Sequence, residues 1–157
     1  MGYGDDIESV WMPLWRKKNP APKTQVSPSA IIIQPSGIAS VVEADVFCMS
    51  YREMAQLIEA EGLDAIHFSE PLNKLTEVCK LANYKVAMYT DRNGYAKDLP
   101  DNAAGTILYG RGTEIRGAVI ICLEDNRYDT YSFHFQEDIE KVLEEISTLT
   151  NGLVRLG

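Results

Sequence analysis

The run from Glu114 to Leu123, with Ala118-Val-Ile-Ile-Cys-Leu123 as its apolar centre, is the segment that most limits what this chain can fold into. A strand that is apolar on both faces has to be covered on both, so it belongs in the middle of a sheet rather than at an edge. It is also too short to cross a bilayer, and no apolar run in the chain approaches the roughly 18–20 residues a membrane helix requires. The remaining elements must therefore supply its neighbouring strands and the layers above and below.

They do so through short strands divided by turn signals. Ile31-Ile-Ile33 is closed by Pro35-Ser-Gly37 and followed by a second strand from Ile38 to Val46, which together read as an opening hairpin. Ser50 and Glu53 form a capping box, and Tyr51, Met54, Leu57 and Ile58 recur at helical spacing up to a stop at Gly62. A short strand over 64–68 follows. Pro71 then opens a helix carrying Leu72, Leu75, Val78, Cys79 and Ala82. Tyr84 to Thr90 reads as a strand ending in Asp91-Arg-Asn-Gly94, where Asn-Gly is expected to supply the positive φ of a tight turn. Asp101 or Asn102 caps a short helix running to about Tyr109, which Gly110-Arg-Gly112 ends. The Glu124–Asp129 turn leads to a strand over 130–135. A last helix over about 137–148 carries Ile139, Val142, Leu143 and Ile146 on one face. Strands joined by hairpin turns predict a single α+β domain: a mostly antiparallel mixed sheet with three or four helices.

Residues 1–29 stand apart as a proline-rich arm preceding a globular domain over 30–157. Pro13, Pro20, Pro22 and Pro28 forbid a continuous helix, while Trp11, Met12, Leu14 and Trp15 are costly to leave in water. The arm either folds back on its own domain or docks, through Trp11 and Trp15, on a partner or on a second copy in a homo-oligomer. The whole chain of 157 residues carries a net charge of −8. Arg16, Lys17, Lys18 and Lys23 outnumber Asp5, Asp6 and Glu8 by one in the arm, so the domain holds −9, much of it on the last helix. Such a balance excludes unspecific nucleic-acid binding, which rests on many Lys and Arg contacts to phosphate. Glu140 and Glu144 are the acidic positions expected to meet a basic surface on a partner. The opening Met-Gly-Tyr-Gly-Asp-Asp has neither a basic nor an apolar leader region, so no signal peptide is expected, and the expected location is the cytoplasm.

Catalytic patterns are scarce. Cys48, Cys79 and Cys122 are widely spaced and odd in number, which fits reduced, structural thiols better than a disulfide framework or a zinc site. His67 and His134 lie on strands without a nucleophile nearby in sequence, and only a fold bringing Cys48 or Cys79 to His67 would make a cysteine enzyme. Glu124, Asp125 and Asp129 form an acidic turn lacking a calcium-loop schedule, and are read as a solvated hairpin. No glycine-rich nucleotide motif is present. No enzyme activity, cofactor or metal is therefore expected.

The polar residues between 91 and 117 go beyond what packing requires. Arg92, Tyr95, Asn102, Arg111 and Arg116 crowd around turns and helix ends, where Arg and Tyr can hold a phosphorylated ligand by charge and stacking. The same stretch carries a resemblance. Val86 to Tyr109 with Glu114 to Ile120 combines a strand, an acidic-glycine turn, and Leu99, Pro100, Asn102 and Ala104 before a second strand opened by Gly117. This pattern, with the Ile31–Gly37 strand and turn, resembles over residues 30–123 the phage and mobile-element family called domain of unknown function three-eight-four-six. The resemblance implies a mobile-element origin and names no catalytic residues.

Two functions follow as expectations. The first is a non-enzymatic phage or mobile-element protein that counters host defence in the bacterial cytoplasm by occupying a host protein. The second is a sponge for a cyclic or ADP-ribose-type nucleotide signal, gripped by Arg92, Tyr95, Arg111 and Arg116.

Overall fold

The structure, a computed structural model, describes residues 22–44, 47–80 and 83–157. Nine strands and four helices occur among them, in the order β1 (Gln25–Ile33), β2 (Ile38–Glu43), β3 (Cys48–Met49), α1 (Tyr51–Leu57), β4 (Leu63–Ile66), α2 (Glu70–Cys79), β5 (Lys85–Asp91), α3 (Ala103–Tyr109), β6 (Val119–Glu124), β7 (Thr130–Tyr131), β8 (Phe133–Phe135), α4 (Gln136–Leu149) and β9 (Arg155–Leu156). This is the expected single α+β domain. The strands run β4–β5–β6–β1–β2–β9, antiparallel throughout except for the parallel β2–β9 pair. The stretch 130–135 crosses over, pairing with β6 through β7 and with β1 through β8, and β3 lies beyond β7.

β6 is central, as its composition requires: all six of its residues are buried, and it pairs with β5, β1 and β7. One face of the sheet, with Ile31, Ile33, Met88 and Ile121, packs against Leu72 and Leu75 of α2, Leu108 of α3 and Ile139, Val142 and Ile146 of α4. The opposite face, with Ile32, Ala87, Tyr89, Ile120 and Cys122, packs against Met54 and Ala55 of α1. Each such buried aliphatic side chain contributes about 1.5–3 kcal/mol of transfer free energy. None of the helices among the described residues is long and apolar enough to cross a membrane.

Three local expectations are corrected. β1 begins at Gln25, inside the segment assigned to the arm, because the register shifts between Gln25 and Ser29 and so accommodates Pro28, which has no N–H for the ladder. α1 ends at Leu57, five residues before Gly62. The Asn93-Gly94 pair takes no positive φ; instead Gly94, Lys97, Asp98 and Leu99 donate amide hydrogen bonds within a run of overlapping turns. Glycine at 94 answers a close approach, since a Cβ there would lie 2.9 Å from the Arg116 carbonyl oxygen.

Candidate functional site

The outer edge of β4 borders a groove of about 330 Å³ that holds three of the five residues expected to grip a ligand: Arg92, Tyr95 and Arg116. Their charges are already engaged. Arg92 lies 3.4 Å from Asp64 and donates to the Leu63 carbonyl at 3.0 Å. Arg116 stacks 4.6 Å over the Tyr95 ring and lies 3.2 Å from Asp98 and 3.3 Å from Asp101. The groove sets these two arginines against three carboxylates, Asp64, Asp91 and Glu114. Asp91 is itself paired with Lys97 at 2.6 Å, so an anion meets no uncommitted cation in this lining.

The other two members lie apart. Arg111 donates to the Phe68 carbonyl at 3.2 Å and lines a neighbouring groove of about 160 Å³ with His67 and Phe68. Asn102 is fully buried. Its Nδ2 donates to the Ile33 carbonyl at 3.0 Å and to the Gly117 carbonyl at 2.9 Å, while Oδ1 accepts the Gly105 N–H at 2.9 Å as the cap of α3. With both amide hydrogens and the carbonyl engaged, Asn102 has no donor left for a ligand, so its expected binding role is replaced by a structural one.

On α4, Glu140 and Glu144 are exposed, and neither forms an ion pair among the described residues. Two other carboxylates of α4 are spent internally. Glu137 accepts the Thr24 N–H through both oxygens at 2.7 and 3.0 Å, and the buried Asp138 pairs with Lys23 at 2.7 Å. The Thr24 amide holds the Glu137 carboxyl below the ordinary glutamate range. Trp11 and Trp15 lie outside the described residues.

A cluster that sequence reasoning missed lies on the α1 face. Glu124 is completely buried rather than part of a solvated turn, because the alternation along β6 carries it inward behind Ile120 and Cys122. Its Oε2 lies 2.6 Å from His67 Nδ1 and accepts from the Tyr89 hydroxyl at 3.4 Å. Tyr89 also meets Thr130 Oγ1 at 2.8 Å, and burial pushes its phenol well above the ordinary range. Oε1 is buried without a hydrogen bond, with Lys85 Nζ 3.9 Å away. The Lys85 ammonium sits 4.2 Å from the Phe68 ring centroid and 4.8 Å from that of Tyr128. His67 lies against Tyr128 at 4.5 Å. Phe68 and Tyr128 are nevertheless 49% and 45% exposed. The result is a pair of half-exposed rings clamped around a cation that is anchored to a buried carboxylate.

What remains of the acidic turn is organised by Asp125, whose Oδ1 accepts the Arg127 and Asp129 amides at 2.8 and 3.1 Å. The Tyr131 hydroxyl donates to Oδ2 at 3.0 Å, and this bond to a carboxylate raises the Tyr131 phenol to about 12. The cysteines are all free. Cys79 packs on the opposite face of the sheet from His67 and is pushed up to about 11 by burial. Cys122 shares the Glu124 face, where burial first and Glu124 second keep it a thiol. No thiolate–imidazole pair forms among these groups.

A third groove, of about 280 Å³, opens where α2, β8 and α4 meet. It is lined by Phe47, Tyr84, His134 and Phe135 together with Lys23, Lys80 and Asp138. Comparison of the chain with family models, with curated proteins and with solved structures returns no match.

Proposed function

We propose that this protein is a non-enzymatic binding protein that occupies a protein partner, and that its main contact surface is the patch formed by Phe68, Tyr128, Lys85 and His67. One observation carries this reading: two half-exposed aromatic rings are held in place by a caged lysine above a buried carboxylate. Folding gains little from rings left in water, whereas rigid aromatic side chains bind a partner with little loss of rotamer freedom. The exposed Glu140 and Glu144 add a long-range field that speeds encounter with a basic partner and weakens with salt.

The resemblance over residues 30–123 supports placing the protein among phage or mobile-element products, and a host factor in the bacterial cytoplasm is the partner proposed on that basis. The nucleotide-sponge alternative at Arg92, Tyr95, Arg111 and Arg116 finds less support, because Arg92 and Arg116 are paired with carboxylates, Tyr95 donates to the Glu114 carbonyl, and Arg111 donates to the Phe68 carbonyl in a separate groove.

Capture from host lysate tests the proposal. The full chain should enrich a partner at low salt, and the Phe68→Ala/Tyr128→Ala double variant should lose it while remaining folded. Absence of any partner at low and high salt, or equal capture by the double variant, contradicts it.

A further inference from the structure

The groove of about 280 Å³ where α2, β8 and α4 meet combines aromatic walls with two lysines. Its walls are aromatic. Phe47 lies 6.3 Å from Tyr84 and 5.4 Å from His134, and His134 lies 5.3 Å from Phe135, so rings line the groove from three separate stretches of chain. Two lysines face one carboxylate. That carboxylate, on Asp138, is neutralised by Lys23 at 2.7 Å, and Lys23 also lies 5.5 Å over the Phe135 ring. Lys80 is exposed and forms no ion pair among the described residues. In a chain of net charge −8, this cavity is net cationic.

We propose that this groove is a binding site for a nucleoside monophosphate. Aromatic walls accept the flat face or edge of a base, and base–aromatic contacts tolerate different bases because every base has a π-face. Lys80 supplies the uncommitted positive charge for the phosphate, and Asn83 lines the same groove. Size sets the class. Small-molecule sites usually span about 300–1,000 Å³, and a groove just under that range matches one base, one sugar and one phosphate. The site is separate from the Phe68–Tyr128 patch and does not depend on the protein-binding proposal.

The sequence contains only two histidines, so their imidazole NMR signals report on two different places in the full chain. Titration with AMP should shift the His134 signals saturably, with a dissociation constant below about 1 mM, and leave those of His67 in place. Adenosine and inorganic phosphate, used separately, should each bind at least about 10-fold more weakly, since each lacks one half of the recognition. Lys80→Gln, at an exposed position, should weaken AMP by a similar factor without changing the adenosine shift. Tyr84→Leu should weaken both. An unresponsive His134 at 10-fold the expected constant overturns the proposal, as does adenosine binding as tightly as AMP or an unchanged affinity in Lys80→Gln.

Discussion

His67 Nδ1 lies 2.6 Å from Oε2 of Glu124, a carboxylate with no exposed surface that sits at the end of the most buried strand of the sheet. The pair joins β4 to β6 across β5, and it fixes the imidazole against Tyr128 and, through Lys85, the rings of Phe68 and Tyr128. A buried carboxylate is costly unless its oxygens are paired, and here one oxygen depends on a lysine 3.9 Å away.

Glu124→Gln keeps the shape and one hydrogen bond but removes the charge that holds both His67 and Lys85. It should cost about 1–3 kcal/mol in urea unfolding. Lys85→Met, which leaves the carboxylate without the ammonium 3.9 Å away while preserving the apolar stem, should cost a similar amount. A double variant that costs no more than either single one would show the coupling between the two residues.

Asn102 offers a separation of two roles. Asp is as good a helix cap as Asn, yet an aspartate facing the Ile33 and Gly117 carbonyls would set acceptor against acceptor. Asn102→Asp should therefore destabilise by about 2–4 kcal/mol, at least as much as Asn102→Ala. If Asn102→Asp unfolds at the wild-type urea midpoint, capping is the whole of its role.

Gly117 and Gly112 both take positive φ, at +85° and +76°, but their surroundings differ. A Cβ at Gly117 would lie 2.7 Å from Leu99 Cδ1, whereas nothing lies within 4 Å at Gly112. Gly112→Ala should cost about 1 kcal/mol for backbone conformation alone, and Gly117→Ala about 1–3 kcal/mol more for displaced packing. Thermal unfolding of the two variants side by side measures the difference.

The Thr24 amide that lowers the Glu137 carboxyl also ties β1 to α4. A carboxylate whose folded-state value is depressed contributes stability at pH values above its unfolded value, near 4.3, and that contribution is lost as pH falls through the folded value. Stability should accordingly decline below about pH 4.3, and Glu137→Gln should decline less steeply there. Identical acid slopes for both proteins would remove Glu137 from the pH response.

Much of the fold was legible because local chemistry and packing agree. The Ile31–Ile33 run, the Ser50 and Asn102 caps and the apolar Val119–Leu123 stretch of β6 each became what their residues predict. The site was less so. Leu99, Asn102 and Gly117 meet at a structural junction, where Asn102 donates to the Gly117 carbonyl and Leu99 fills the space a Cβ at Gly117 would need. Arg92 and Arg116 do share a groove, but a sequence does not show that Asp64, Asp98 and Asp101 neutralise them. Glu124 looked like turn chemistry because it precedes Asp125. Its burial depends on strand register: Glu124 pairs with Lys85, and Tyr89 with both Ile120 and Ala65, bringing three distant segments onto one face. Alternation within a strand can assign a face, but it cannot say which strands lie side by side.

The most direct test is to compare dissociation rates of the captured partner from two variants of the full chain. Phe68→Ala/Tyr128→Ala should speed dissociation about 30-fold or more, the scale of a hot spot worth about 2 kcal/mol. Glu140→Gln/Glu144→Gln should instead slow association a few-fold and flatten its salt dependence. Wild-type dissociation from the aromatic double variant, with the loss falling on the α4 variant, would contradict the assignment of the Phe68–Tyr128 patch as the contact surface.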